Sequence, residues 1–238
     1  MRAIIFDLDG TLVDSMGYWR SVTRDFMKGK GIDVENHVQH KMTTMSLNTS
    51  LRYLKDYYNL SESFEELYAG FSYTVKDFYA NKVDLKDNAL EILKYFKDED
   101  KKIVIGTSTA KPFADIIIKK YGMDKYIEGL YTADSVGRIK ADEKFFTTII
   151  SELKEEAKEV LLVDDSYIAL RTAKSAGLET VGIYDEHSKD TWQKIVDENK
   201  YSITNLIELK NIWDYFYFLR QGLYPPLYLL LLFFHLWE

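Results

Sequence analysis

The sequence predicts an α/β fold in which helices cover a parallel sheet and a small group of helices is inserted after the first strand. Three observations predict it. Four short apolar runs are continuous rather than alternating, as in strands that are buried on both faces. Helical periodicity fills the chain between the last three runs. Only helical patterns lie between the first run and the second.

The four predicted strands are AIIFD at 3–7, KIVIGTS at 102–108, EVLLVDD at 159–165 and ETVGIYD at 179–185. Three helices are predicted among the last three strands by apolar residues at helical spacing: Phe113, Ile116 and Ile117; Phe145, Ile149, Ile150 and Leu153; Ala169, Thr172, Ala173 and Ala176. Gly177 is a typical residue to end the third helix. Alternating strands and helices with right-handed crossovers give a Rossmann-like parallel sheet core.

A helical cap is predicted between the first and second strands. Ser63 and Glu66 have the spacing of a capping box. One apolar helix face continues beyond them: Phe64, Leu67, Tyr68, Phe71, Val75, Phe78 and Tyr79. An insert here lies over the carboxyl ends of the strands, where open α/β sheets bind ligands. We therefore expect a core of residues 1–15 and 84–210, a cap of residues 16–83 and an apolar extension of residues 211–238.

The composition excludes several classes of function. The net charge of -7 at pH 7 argues against a nucleic-acid-binding protein, which needs a basic face. The absence of cysteine excludes disulfides, thiolate zinc sites and a cysteine nucleophile. Met1 and Arg2 lead directly into the first apolar run without the pattern of an export signal, so we expect a cytoplasmic protein.

The C-terminal run 223–237 is apolar but shorter than the roughly 20 residues of a membrane-spanning helix. Pro225 and Pro226 further limit helix continuity. We expect no membrane span. The favoured interpretation is burial of this run within the chain or across a homodimer. Attachment to a membrane surface and an origin outside the native domain are the alternatives.

Polar side chains follow three of the predicted strands. Asp7 and Asp9 follow the first strand, Thr107 ends the second, and the pair Asp164 and Asp165 ends the third. A single Asp after a strand is usually a turn residue or a helix N-cap, so the prediction depends on the combination. Carboxylates that meet in one crevice repel each other, and a divalent cation relieves that repulsion. Oxygen ligands alone favour Mg²⁺ over zinc.

Four stretches resemble the motifs of the haloacid dehalogenase superfamily. They are DLDGTLVDS at 7–15, IVIGTST at 103–109, GRIKADEKFF at 137–146 and VLLVDDSYIALRTAKSAGLETVGI at 160–183. The first carries the D-x-D-G-T pattern directly after an N-terminal strand, and this is the most specific of the four. The predicted cap resembles that of the β-phosphoglucomutase-like and phosphoglycolate-phosphatase-like branch.

The resemblance implies a phosphatase that forms an aspartyl phosphate on Asp7. It implies that Asp9 protonates the leaving oxygen and then activates water for the second step. It also implies a Mg²⁺ ion held by Asp7, Asp164 and Asp165, with the backbone carbonyl of Asp9 as a further ligand.

The resemblance further implies that Thr107 and the amides of Gly10 and Ser108 hold phosphate oxygens. Lys140 would neutralise the charge of the transferring group. Family members commonly have Lys-Pro-x-Pro at the third motif, whereas this sequence reads KADE. Lys144, one helical turn later, is the alternative to Lys140, which we favour.

Two other functions remain open at this point. β-Phosphoglucomutases use a cap histidine and a cap arginine, which would fall near Trp19 and Met45 of this sequence. Neither is present. We therefore expect a Mg²⁺-dependent phosphatase that acts on a small phosphorylated metabolite. Its specificity would come from cap side chains such as Tyr18, Trp19, Met42 and Met45. A sugar-phosphate mutase and a catalytically silent binding protein of the same fold are the alternatives.

Overall fold

The computed structural model describes residues 1–42, 45, 47–220 and 222. In chain order its strands are β1 (Ala3–Phe6), β2 (Val13–Asp14), β3 (Asp84–Leu85), β4 (Lys102–Thr107), β5 (Gly129–Thr132), β6 (Val160–Asp164), β7 (Glu179–Ile183) and β8 (Tyr201–Ile203). Within the described residues, six strands form one sheet in the order β5-β4-β1-β6-β7-β8, and all neighbours are parallel. The predicted α/β fold is confirmed.

The helices are α1 (Met16–Lys28), α2 (Asn36–Met42), α3 (Leu47–Tyr57), α4 (Phe64–Asn81), α5 (Ala89–Asp98), α6 (Lys111–Lys120), α7 (Ala133–Val136), α8 (Glu143–Leu153), α9 (Tyr167–Ser175), α10 (Lys189–Glu198) and α11 (Leu209–Arg220). The first four, which we call the cap helices, lie between β2 and β3. The others alternate with the strands of the sheet and cover it.

The central sheet contains all four predicted strands and two that the sequence did not reveal. β5 and β8 are short edge strands, and most residues of β5 are only partly buried. Such strands lack the continuous apolar run that marks a strand buried on both faces. The periodicity therefore identifies the inner strands and misses the edges.

Successive side chains of β1 divide between two apolar layers, one on each face of the sheet. Ile4 and Phe6 belong to the layer that contains α5 and α6, and Ala3 and Ile5 belong to the layer that contains α8 and α9. The side chains of all four residues are fully buried. Because burial of one Ile or Phe side chain stabilises the fold by about 1.5–3 kcal/mol, β1 anchors the centre of the molecule.

The predicted capping box begins α4. Ser63 Oγ accepts a hydrogen bond from the Glu66 amide at 3.1 Å, and the Glu66 carboxylate accepts one from the Ser63 amide at 2.8 Å. The predicted apolar face is buried at Leu67, Phe71 and Val75 and further along the helix. This face packs against α3 and α1 and forms the core of the cap helices.

The two chain crossings between the sheet and the cap helices run side by side. β2 pairs with β3 in antiparallel fashion, with Val13 opposite Leu85 and Asp14 opposite Asp84. The Lys86 amide also donates to the Leu12 carbonyl at 3.0 Å. The backbone therefore enters and leaves the cap helices through one narrow, hydrogen-bonded connection.

The C-terminal boundary expected at residue 210 falls inside α11, which runs from Leu209 to Arg220. Ile212 and Trp213 are buried, and the Trp213 ring meets Phe96 of α5 edge-on with 5.0 Å between ring centroids. Packing of the sheet layer therefore continues past residue 210. The run 223–237 lies outside the described residues. Within those residues, no helix combines the length and apolar character that a membrane span requires.

Candidate active site

The carboxyl end of the sheet brings together the acids of the first and fourth motifs. β1 lies between β4 and β6, so the chain after β1 is flanked by the ends of both neighbours. The Asp7 amide donates to the Val163 carbonyl at 3.0 Å and continues the strand pairing by one residue. Asp7 therefore lies beside Asp164, the last residue of β6.

Asp7, Asp164 and Asp165 form a buried acidic cluster, with one carboxylate oxygen of each within 4.8 Å of the others. Burial raises the pKa of Asp7 well above its usual range, and the charges of Asp164 and Asp165 add to this effect, against the attraction of Lys140. Burial and the Asp164 carboxylate raise the pKa of Asp165 to about 7. The positive charge of Lys140 therefore does not balance the negative charges of the three carboxylates.

Lys140 lies between two of these acids. Its Nζ is 2.7 Å from Asp7 Oδ1 and 2.6 Å from Asp164 Oδ2, and its side chain is 9% exposed. Burial alone would lower the pKa of Lys140, but Asp164 and Asp7 raise it above its usual range. The ammonium group therefore stays charged.

The loop that carries Lys140 precedes α8 and has no proline. The Asp142 amide donates to the Ile139 carbonyl at 2.9 Å, and Asp142 Oδ1 accepts from the Lys144 amide at 2.9 Å at the start of the helix. This turn and cap hold the loop. Lys144 is exposed, so the structure brings Lys140 and not Lys144 to the cluster.

The donor set of the cluster fits a hard divalent cation. Its three carboxylates outnumber the single ammonium group of Lys140, and all the candidate ligand atoms are oxygens. Two hydrogen bonds orient the acid pair: the Ser166 amide donates to Asp164 Oδ1 at 2.8 Å, and Ser188 Oγ donates to Asp165 Oδ2 at 2.6 Å.

Asp9 is held in a separate network of hydrogen bonds. Its Oδ1 accepts from Ser15 Oγ at 2.5 Å, from Trp19 Nε1 at 3.2 Å and from the Tyr79 hydroxyl. Its Oδ2 accepts from Thr109 Oγ1 at 2.6 Å. Trp19 and Tyr79 belong to α1 and α4, so two cap helices contact this carboxylate directly.

Tyr79 contacts the site from the cap helices, and the sequence did not reveal this contact. Its side chain is fully buried; burial, followed by the charge of Asp9, raises the pKa of Tyr79 well above its usual range. The hydroxyl therefore stays protonated and donates to Asp9, while Trp19 Nε1 donates to the Tyr79 hydroxyl at 2.9 Å. The sequence pattern counted Tyr79 only as part of an apolar face. The feature of the sequence that could have indicated this contact is the polar hydroxyl of Tyr79 on an otherwise apolar helix face.

The expected phosphate-binding residues surround the acidic cluster unevenly. Gly10 has φ +81°, and a Cβ there would lie 2.7 Å from Asp165 Oδ2, so only glycine fits. Its amide donates to the Val13 carbonyl at 2.9 Å and is therefore engaged within the loop. Thr107 is buried and its Oγ1 accepts from the Thr109 amide at 3.0 Å, whereas Ser108 is exposed.

Two other cap residues considered from the sequence, Tyr18 and Met42, pack against apolar side chains. Tyr18 stacks on Phe78 with 3.6 Å between ring centroids and donates to the Thr74 carbonyl at 3.1 Å, so it packs within the cap helices. Met42 packs partly buried against the same apolar cluster, and Met45 is half-buried.

The sequence matches a family model and resembles proteins named as phosphatases along most of its length. The model described as haloacid dehalogenase-like hydrolase matches residues 4–183. A phosphorylated carbohydrates phosphatase from Thermotoga maritima is 21% identical over 213 residues, which cover 89% of this chain and 98% of that protein. A validoxylamine A 7'-phosphate phosphatase from Streptomyces hygroscopicus subsp. limoneus is 24% identical over 195 residues, covering 79% and 88%.

Solved structures share the fold. CbbY from Rhodobacter sphaeroides in complex with phosphate superposes with a TM-score of 0.73 at 16% identity, covering 88% of this chain and 96% of that one. A predicted phosphoglycolate phosphatase from Haemophilus somnus superposes with a TM-score of 0.71 at 18% identity, covering 89% and 97%. With the match over residues 4–183, the chain belongs to the haloacid dehalogenase-like hydrolase family.

Proposed function

We propose that this protein is a Mg²⁺-dependent phosphatase that hydrolyses a small phosphomonoester through an aspartyl phosphate on Asp7. One observation carries the proposal. Asp7 lies at the end of the central strand, 2.7 Å from the ammonium group of Lys140 and within 4.8 Å of the acid pair Asp164 and Asp165. A nucleophilic carboxylate, a fixed positive charge and a candidate cation site therefore share one buried place.

In the first step, an Asp7 carboxylate oxygen attacks phosphorus and forms the acyl phosphate bond. The bond between phosphorus and the leaving oxygen breaks, and that oxygen takes a proton from Asp9. Lys140 offsets the negative charge of the two anions as they approach, because its charge is fixed by Asp7 and Asp164.

In the second step, Asp9 accepts a proton from a water molecule, which attacks phosphorus of the aspartyl phosphate. Inorganic phosphate leaves, and the Asp7 carboxylate is regenerated. Thr107, buried at the end of β4, and the amide of Ser108, an exposed residue, would hold the phosphate oxygens.

Asp7, Asp164 and Asp165 would hold the Mg²⁺ ion, with the backbone carbonyl of Asp9 as a further ligand. When bound, the ion neutralises charge between the nucleophile and the phosphoryl group. The match of an all-oxygen donor set to a hard cation supports this assignment.

Asp7 and Asp9 are only 6% and 8% exposed, so access of a substrate requires movement of the residues that cover them. The network from Trp19 and Tyr79 to Asp9 makes the cap helices the covering element. We therefore infer a substrate of metabolite size, enclosed during the reaction. The name of one relative, a phosphorylated carbohydrates phosphatase, supports phosphorylated carbohydrates as the first candidates, and validoxylamine A 7'-phosphate, which another relative is named for, belongs in the same panel.

The test is a panel of phosphorylated metabolites with Mg²⁺, in which inorganic phosphate and organic product are both measured. The proposal expects phosphate to accumulate in proportion to the substrate consumed, and Asp7→Asn to release none. Conversion of a sugar 1-phosphate to the 6-phosphate with little free phosphate would establish the mutase alternative. Binding without turnover across the panel would support the silent binding protein.

A further inference from the structure

The turn after β7 is linked to both the acidic cluster and the crossings into the cap helices. We call residues 185–188 the β7 turn. Asp185 Oδ1 accepts from the His187 amide at 2.8 Å, and the Asp185 carbonyl accepts from the Ser188 amide at 3.0 Å. Asp185 is 2% exposed, so the residue that accepts both bonds is buried although the rest of the turn is partly exposed.

On the side of the cluster, the β7 turn orients one acid. Ser188 Oγ donates to Asp165 Oδ2 at 2.6 Å, and Asp165 is itself buried. Gly10 approaches the same carboxylate so closely that a Cβ would lie 2.7 Å from Oδ2. The Gly10 backbone and the Ser188 hydroxyl therefore both lie close to Oδ2 of this carboxylate.

On the side of the cap helices, the β7 turn meets both crossings. Lys86, which directly follows β3, pairs with Asp185 at 2.5 Å between Nζ and Oδ2. The His187 ring lies against the first turn of α1, where a Cβ on Gly17 would be 2.9 Å from Nε2. The turn therefore contacts the chain where it enters the cap helices and where it leaves them.

We propose that Ser188 is a positioning residue of the metal centre, which fixes the orientation of the Asp165 carboxylate for the cation. Lys86 couples the position of the cap helices to this carboxylate through its ion pair with Asp185. The inference rests on the proposed metal-dependent function. A hydrogen bond to a ligating carboxylate sets its orientation, and loss of such a partner typically weakens metal affinity by about 10–100-fold.

The first experiment measures Mg²⁺ binding by calorimetry in the absence of substrate. Ser188→Ala should weaken the affinity by about tenfold, at the low end of that range because the turn is partly exposed. Ser188→Thr keeps the hydroxyl and should restore the affinity. Thr191→Ala is the matched control, because Thr191 Oγ1 donates to the Ser188 carbonyl at 3.0 Å and has no hydrogen bond to Asp165.

Thermal unfolding in EDTA checks that each variant is folded. If Ser188→Ala is folded and binds Mg²⁺ as tightly as the wild type, the role of Ser188 is overturned while the proposed function stands. If Thr fails to rescue a weakened Ala variant, the hydroxyl is not the cause and the inference is also overturned. Absence of Mg²⁺ binding and Mg²⁺ activation in the wild type would overturn the metal-dependent function and, with it, the inference.

The second experiment tests the transmission through Asp185. Lys86→Met should weaken Mg²⁺ affinity in the wild-type background and have little further effect in Ser188→Ala, because both residues bond to Asp185 and effects within one hydrogen-bond and ion-pair network are non-additive. Lys82→Met removes an ion pair with Asp77 that is largely exposed and should leave the affinity unchanged. Additive effects of Lys86→Met and Ser188→Ala would overturn the coupling.

Discussion

The hydroxyl of Tyr79 donates a hydrogen bond to the carboxylate of Asp9, across a separation of 70 residues in the chain. This bond joins α4 to the loop after β1, and Trp19 of α1 reinforces it with bonds to both partners. Asp9 is thus oriented in part by the cap helices, together with Ser15 and Thr109, whereas Asp7 is oriented by the sheet and Lys140.

Loss of the Tyr79 hydroxyl should impair the proton-transferring role of Asp9. For Tyr79→Phe we expect kcat to fall about tenfold, equivalent to ~1.4 kcal/mol in the barrier, with little change in KM. The ring still fills its buried space, so the fold should be retained. Steady-state kinetics on the best substrate of the panel provide the measurement. Tyr73→Phe, a change at an exposed position of the same helix, is the control. An unchanged kcat in Tyr79→Phe would show that the bond does not position Asp9 for catalysis.

Replacement of Asp7, the proposed nucleophile, should abolish turnover without unfolding the protein. Asp7→Asn keeps the shape of the side chain, and Lys140 retains its ion pair with Asp164 at 2.6 Å. Neither phosphate release nor a trapped phospho-enzyme should be detected. Activity within about tenfold of the wild type, a difference of only ~1.4 kcal/mol in the barrier, would rule out the covalent mechanism.

The acid and base roles proposed for Asp9 predict a different result for its amide variant. Asp9→Asn should slow both formation and hydrolysis of the phospho-enzyme, because one side chain serves as the acid in the first step and the base in the second. Rapid-quench measurement of the phospho-enzyme separates the two rates. A variant that forms the intermediate at the wild-type rate would assign the acid of the first step to another group.

Removal and exchange of the metal should control activity reversibly. EDTA should abolish turnover and Mg²⁺ should restore it. Ca²⁺ should inhibit, because its larger and looser coordination sphere misplaces the attacking carboxylate. Phosphate release after dialysis against each ion gives the comparison. Full activity after exhaustive chelation would contradict a metal role for the cluster of Asp7, Asp164 and Asp165.

Metal affinity should depend on pH through Asp165. The pKa of this group is raised to about 7 by burial and by Asp164, so below pH 7 the acid is mostly protonated and must lose a proton before it can bind a cation. Affinity for Mg²⁺ should therefore rise about tenfold from pH 6 to pH 8, as the deprotonated fraction does for a group with a pKa near 7.

Calorimetric titration at the two pH values measures this change. Asp165→Asn cannot lose that proton and should show weaker binding with a flatter dependence on pH. An equally steep dependence in Asp165→Asn would assign the proton to another member of the cluster, of which Asp7 is the first candidate because its pKa is also raised.

The sequence predicts the inner part of the sheet and the acids at its edge for one physical reason. Strands buried on both faces need uninterrupted apolar residues, so the acids that follow them, Asp7 and Asp164, stand out at the strand ends. The strand β5 is short and partly exposed, so it lacks the contrast between apolar residues and a terminal acid, and the sequence did not reveal it. Lys140 lies three residues before α8, outside any periodic pattern of apolar residues. It was therefore identified through the family motif alone.

The contacts of the cap helices with the site could not be predicted in the same way. Trp19 and Tyr79 meet Asp9 through side-chain hydrogen bonds that depend on how whole helices pack, and local patterns do not encode that packing. The engaged amide of Gly10 is a similar case. The D-x-D-G-T motif identifies the loop, but the bond to the Val13 carbonyl appears only when the loop is folded.

The central position of β1 has a consequence for how the protein is made. β1 is translated before the other strands, yet its neighbours begin at Lys102 and Val160, and its apolar side chains have no sheet to join until those residues have left the ribosome. At roughly 5–20 residues per second, this delay is on the order of ten to thirty seconds. The cap helices, closed off by β2 and β3, can fold during that interval. A nascent chain that stops before Val160 therefore carries Asp7, the proposed nucleophile, without the acid pair, and chaperones that bind exposed apolar strands have that interval in which to act.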